Sequence, residues 1–147
     1  MNNIDINTQG VTLPEWAEGA ESYIKKILEK LGRDNWDLSV LFCTNTFIQT
    51  LNKQYRGKDE PTDILSFSQH DNTPAAASPP ELFAAGDIVI SLEALCDNAA
   101  AFSITNHEEL CRLLIHGILH LDCMDHKTNS VDDEPMLQLQ ERLLGEI

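Results

Sequence analysis

From Glu109 to Leu121 the chain is apolar nearly all the way round a helical wheel. Leu110, Leu113, Leu114, Ile118 and Leu121, with Ile115 and Leu119 further round, leave one narrow polar sector holding Glu109, Arg112, His116 and His120. A helix with that surface is stable only when it is buried almost all round, with a single wet strip. The 147 residues, 42% of them hydrophobic, are one domain's worth of chain with enough apolar material to enclose it. A single domain over residues 1–147 is therefore expected.

The wet strip carries the chemistry of HGILHLDCMDH, residues 116–126. At ~100° per residue, His116 and His120 project in nearly the same direction and can share one metal ion. His126 cannot join them on a continuing helix, because ten residues would carry it ~15 Å along the axis and to the wrong side. The helix is therefore expected to stop near Leu121. A tight reversal through Asp122, Cys123 and Met124 would bring His126 back over the pair. Three imidazoles with an open coordination position are the donor set of catalytic rather than closed structural zinc. The blander alternatives are a solvated helix face for the pair and an exposed turn for His126, and the buried remainder of the helix argues against the first.

The rest of the chain interleaves strands and helices. Asn3 to Gln9 alternates around Ile4 and Ile6 as a first strand. Thr12 and Glu15 form a capping-box pattern with Pro14 in the first turn, opening a helix through Trp16, Ala20, Tyr23, Ile24, Ile27, Leu28 and Leu31 before Gly32. Trp36 to Cys43 reads as a second strand. Thr44 caps a helix whose apolar face is Phe47, Ile48, Leu51 and Tyr55, with Gly57 as its stop. Asp63 to Phe67 is a short strand, Ser68 to Ala85 a surface loop with three prolines and no period, and Gly86 to Ser91 a compact strand. Ser91 caps a helix through Phe102, Asn106 and Glu109 form a capping box for the motif helix, and Glu134 to Leu144 is the last helix. The expected class is α+β: a small mixed sheet of about four strands packed with about five helices, the metal site lying on a buried helix and the turn after it.

Twenty-four acidic against ten basic side chains give a net charge of −14, which disfavours broad, non-specific binding to nucleic acid. A small basic patch can still act at contact. The start of the chain, MNNIDINTQG, has neither the basic onset nor the apolar stretch of a secretory signal. Nothing approaches the roughly 18 apolar residues of a membrane span, so a cytoplasmic protein with no membrane partner is expected. Cys43, Cys96, Cys111 and Cys123 contain no C-x-x-C pair and read as reduced thiols.

HGILHLDCMDH differs from the H-E-x-x-H-x-x-G-x-x-H pattern of metzincin proteases by carrying Gly117 where their glutamate base stands, which disfavours peptidase chemistry. It resembles instead the H-G-x-L-H-L-x-G-Y-D-H signature of the YbeY family of bacterial endoribonucleases. LNKQYRGKDEPTDILSF, from Leu51 to Phe67, is similar to the family's stretch around its functional arginine, and GDIVIS from Gly86 to its strand before the motif helix. The resemblance implies an α and β fold around a small sheet. It also implies a metal-dependent, single-strand-specific endoribonuclease acting in maturation of the 3′ end of small-subunit ribosomal RNA and in ribosome quality control. It assigns the metal to His116, His120 and His126, and it makes His116 and Arg56 catalytic, Arg56 serving the substrate. Single-stranded and ribosomal RNA, the small ribosomal subunit and its associated proteins are the implied partners.

Zinc, one ion per chain, is the first choice, because a three-histidine site can lower the pKa of bound water to about 7 without a neighbouring carboxylate. Nickel, copper and iron also accept imidazole. Cys123 and Met124 stand where the family has glycine and tyrosine. A positive φ at Cys123 would cost ~1 to 2 kcal/mol, or its thiolate could be an extra ligand that closes the site. Asp125 either orients a ligand histidine or caps the turn. Arg56 offers a fork matched to phosphate, whereas composition alone reads Lys53, Arg56 and Lys58 as a solvated helix end. The competing function is a non-catalytic ribosome-maturation factor with a structural metal, and a lesser one is a metal hydrolase of another substrate. Because so acidic a chain repels free RNA, presentation of the RNA on the ribosome or by a protein partner is expected.

Overall fold

The computed structural model describes residues 1–69, 82–126 and 128–147. Four strands, β1 (Asn3–Thr8), β2 (Trp36–Cys43), β3 (Ile64–Ser68) and β4 (Phe83–Ser91), form one sheet in the order β1-β2-β4-β3. β1, β2 and β4 run parallel, and β3 lies antiparallel to β4 at the edge. Five helices surround it: α1 (Ala20–Lys30), α2 (Asn45–Arg56), α3 (Leu92–Phe102), α4 (Asn106–Leu121) and α5 (Pro135–Glu146). The expected mixed α+β class is what the chain adopts.

Strand alternation divides the core between the two faces of the sheet. Leu38, Val40 and Phe42 of β2 and Ile88 and Ile90 of β4 join the main core with Ile24, Ile27 and Leu28 of α1 and the apolar residues of α4. The intervening Cys43 and Val89, with Leu65, pack on the other side against Ile48 of α2. Ten residues of α4 are buried, so the helix that constrains the sequence most is the one the fold wraps most completely. Gly117 is where it meets the sheet: a Cβ there would lie 3.0 Å from Ile88 Cδ1 and 3.1 Å from Ile64 Cδ1. The position of the metzincin glutamate thus faces apolar sheet, and the close approach seats the flanking His116 and His120 beside β3.

Several boundaries differ from the sequence expectation. The first helix does not begin at a Thr12 cap: Glu15–Ala17 form a single 3-10 turn, and α1 starts at Ala20 after Gly19 without a side-chain cap. The cap of α4 is Thr105, whose Oγ1 accepts from the Glu108 amide at 3.0 Å, and not the Asn106 and Glu109 box. Glu109 is instead fully buried. β4 starts at Phe83, within the segment expected to be loop, because Phe83 and Ala84 pair with Trp36 and Asp37 ahead of a register shift. Gly86, φ +142°, follows that irregularity, and any Cβ there would strike the Phe67 carbonyl of β3. Residues 70–81 of the expected loop lie outside the described residues. Among the described residues no helix is long and apolar enough to cross a membrane, and none of the four cysteines forms a disulfide.

Candidate metal centre

α4 ends at Leu121, as the reach argument requires. Asp122 closes the helix, its amide donating to the Ile118 carbonyl at 2.9 Å, and Cys123 turns the backbone with φ +68°. The Met124 amide then donates back to the Leu119 carbonyl at 2.9 Å. The reversal is therefore made at the residue that stands in place of the signature's glycine, in the left-handed region that a side chain makes costly. It is clamped from outside by Arg33, in the turn between α1 and β2, whose guanidinium grips the Asp122 carboxylate at 3.1 to 3.3 Å through Nε and Nη2.

The turn delivers His126 to the helix pair. One ring nitrogen each from His116, His120 and His126 can be chosen such that all lie within 4.8 Å of one another, and this is the one such group of three or more potential ligands among the described residues. Nε2 of His116 and Nε2 of His120 are 3.0 Å apart. Two nitrogens on a tetrahedral zinc at ~2.0 Å are separated by about 3.3 Å, so the pair is spaced for a shared ion. Each imidazole is also anchored on its far side. Nδ1 of His116 donates to the side-chain oxygen of Gln140 at 2.7 Å, Nδ1 of His120 to the Met124 carbonyl at 3.1 Å, and Nδ1 of His126 to the Thr128 carbonyl at 2.8 Å. A carbonyl can only accept, so the proton is held on Nδ1 and the Nε2 lone pair is left for the metal. Burial lowers the pKa of His116, and burial followed by the charge of neighbouring His116 lowers His120 to about 4. Both rings are thus neutral near pH 7, the state a ligand must have. The donor set fits a borderline-soft transition metal.

The cleft above the three histidines is ~940 Å³, and Arg56, Tyr55, Asp63, Phe67, Met124 and Asp125 contribute to its walls. Arg56 is exposed in the last turn of α2. It shares the cleft with the histidines, whereas Lys53 is paired with Asp59 at 3.8 Å. Asp125 caps the turn, accepting from the His126 amide at 2.8 Å, with its side chain 86% exposed. Its carboxylate lies 4.0 Å from Nδ1 of His120, which bonds to the Met124 carbonyl instead. Cys123 lines the cleft but is not one of the grouped ligands.

Of three polar residues not singled out in the sequence, Gln140 bonds His116, Asp63 lines the cleft and Asn98 bonds Asp63. Gln140 is buried among the apolar positions Met136, Leu137 and Leu143 of α5, and a polar side chain on a buried stripe was its signal. Asp63 accepts from Nδ2 of Asn98 at 3.0 Å, and the same amide nitrogen reaches buried Glu109 at 3.0 Å. Glu109 in turn holds Arg112 by two bonds of 2.7 Å. Asn98, three residues after buried Leu95 and so on the same face of α3, carries a similar signal. Tyr55 departs from expectation in the opposite sense: read as part of the core face of α2, it is 62% exposed.

The chain matches the family described as "Endoribonuclease YbeY" over residues 3–147. It is 53% identical over 124 residues to the protein named Endoribonuclease YbeY from Treponema denticola, covering 84% of this chain and 79% of that one. The protein of that name from Treponema pallidum is 42% identical over 146 residues, covering 99% and 90%. Borrelia turicatae has one 40% identical, covering 89% and 91%. The solution structure of TM1509 from Thermotoga maritima superimposes with a TM-score of 0.66 at 27% identity, covering 97% of this chain and 87% of that one. With the family match running over nearly the full length and relatives up to 53% identical, the chain belongs to the Endoribonuclease YbeY family.

Proposed function

We propose that this chain, as one domain over residues 1–147, is a metal-dependent endoribonuclease that cuts single-stranded RNA. Its place is the cytoplasm, in maturation of the 3′ end of small-subunit ribosomal RNA and in ribosome quality control, with the small subunit and its proteins as partners. The observation that carries the reading is the convergence of His116, His120 and His126, each fixed through Nδ1, on the floor of a cleft that Arg56 also lines. Curated relatives of 40% identity and above are named as endoribonucleases.

Zinc is the metal we propose, held by Nε2 of the three histidines; when bound it supplies Lewis-acid activation of water near neutral pH and neutralises charge on a phosphate. The protein's own contribution is positional. Gln140 and the Met124 and Thr128 carbonyls hold the rings in the ligating tautomer. Arg56 offers two parallel N–H donors to the non-bridging oxygens of the scissile phosphate, where negative charge builds up in the transition state. The non-catalytic alternative gains no support from Cys123 and Met124, since the reversal forms with them and delivers His126 to the pair.

The test is incubation of purified protein with single-stranded RNA, alone, with a chelator, and as His116→Ala prepared in parallel. Cleavage by the untreated protein, lost in the other two arms, is the expected result. Equal cleavage by His116→Ala would mark a contaminating nuclease and sink the assignment.

A further inference from the structure

Phe47, Leu51 and Tyr55 stand four residues apart and form one row along α2. Phe47 and Leu51 pack into the smaller core around Ile48, Leu65 and Val89. Tyr55 continues the row past that core. Its ring meets Phe67 of the edge strand β3, centroid to centroid 5.2 Å at 62°, and is otherwise left 62% exposed. A tyrosine so placed leaves most of its surface open, and both rings line the cleft that holds the histidines and Arg56.

We infer that Tyr55, backed edge-on by Phe67, is a stacking platform for one nucleobase of the RNA whose phosphate lies against Arg56. This rests on the endoribonuclease reading and extends it to how a single strand is chosen. Tyr55 and Arg56 are consecutive residues at the end of one helix, so a ring face and a guanidinium are presented together to one cleft. A nucleotide offers the matching pair, a π-face and a phosphate. The edge contact with Phe67 braces the Tyr55 ring and leaves the ring exposed to a ligand. Stacking needs no particular base, because every base has a π-face. It does need a base free of its neighbours. In a duplex the faces are already covered, so a platform of this kind selects unpaired nucleotides without reading sequence. The cleft's ~940 Å³ leaves room for a base beside the phosphate.

The test separates base from phosphate. Binding of a short, labelled oligouridylate is measured by fluorescence anisotropy in chelator, so that nothing is cut, against a ribose-phosphate chain of the same length lacking its bases. Wild-type protein should favour the base-bearing strand by about tenfold or more, the scale for one stacked base. Tyr55→Ala should lose that preference and bind both strands alike, Tyr55→Phe should keep it, and Tyr55→Leu, apolar but without a π-face, should behave as the alanine variant. Thermal unfolding of each variant, expected to stay near wild type at so exposed a position, guards against a folding defect. The platform is refuted if wild type shows no preference for bases, or if Tyr55→Ala retains it. A preference that depends on Tyr55 in a protein that never cuts RNA when zinc is restored would overturn the nuclease reading alone.

Discussion

Gln140 and His116, twenty-four residues apart and on different helices, are joined by a hydrogen bond of 2.7 Å from the imidazole Nδ1 to the amide oxygen. Gln140 is 3% exposed, on the buried face of α5, so a helix outside the histidine cluster determines which nitrogen of His116 is left open toward the other two histidines. Removing it should loosen the ring and free the tautomer. Gln140→Leu should lower metal affinity by about 10- to 100-fold, the usual scale for an outer-shell partner. Competition with a coloured chelator measures this directly, and an unchanged affinity would show that the bond is incidental.

Arg33 and Asp122 make a forked ion pair with side chains 23% and 8% exposed. That burial lies between an exposed pair, worth under ~1 kcal/mol, and a buried one, whose breakage costs ~3 to 5 kcal/mol. Arg33→Met is expected to cost about 2 kcal/mol in urea unfolding and to weaken metal binding, since the pair braces the turn that carries His126. The reversed pair Arg33→Asp with Asp122→Arg should recover part of both losses.

At Cys123 the positive φ predicts that glycine is the better residue. Cys123→Gly should raise stability by about 1 kcal/mol, the left-handed penalty less the extra freedom glycine gives the unfolded chain. Metal affinity should not change, because the thiol is outside the grouped ligands. A loss of affinity in the glycine variant would instead reveal a sulfur ligand.

The lowered pKa values of His116 and His120 make the metal-free protein sensitive to acid. Unfolded histidines titrate near 6.5, whereas folded His120 does so at about 4. Between these values the unfolded chain binds more protons, so stability is fully present above pH ~6.5 and is lost as the pH falls toward ~4. Urea midpoints of metal-free wild type should fall over this interval, and those of His120→Ala should fall less steeply. Parallel curves would mean that burial of this ring does not disfavour its charge.

Arg56→Ala should leave thermal unfolding and metal content near wild type, since the side chain is exposed, while cutting RNA cleavage by ~100-fold or more, the scale for losing one donor to a transition-state oxyanion. Lysine should restore only part, lacking the fork. Wild-type cleavage from the alanine variant would reduce Arg56 to a solvated helix end.

What the sequence determined by itself was local. Periodicity around α4, the fixed rise of a helix and the position of His126 together demanded a stop near Leu121 and a reversal, and both follow from geometry within a dozen residues. Trp36 to Cys43 and the Ser91 cap were legible for the same reason, alternation and capping being properties of neighbouring residues. Tertiary structure decided what lies across the chain. Glu109 fits a capping box in sequence, but Asn98 and Arg112 give a buried carboxylate three hydrogen bonds, and Thr105 caps instead. Tyr55 has the spacing of a core residue, yet the smaller core ends one turn before it, and a sequence does not show how far a sheet extends. Phe83 and Ala84 become strand because Trp36 and Asp37 are there to pair with them. Periodicity reports which face of an element is apolar, while the polar partners of a buried group depend on which elements meet, and that is settled only when the whole chain packs.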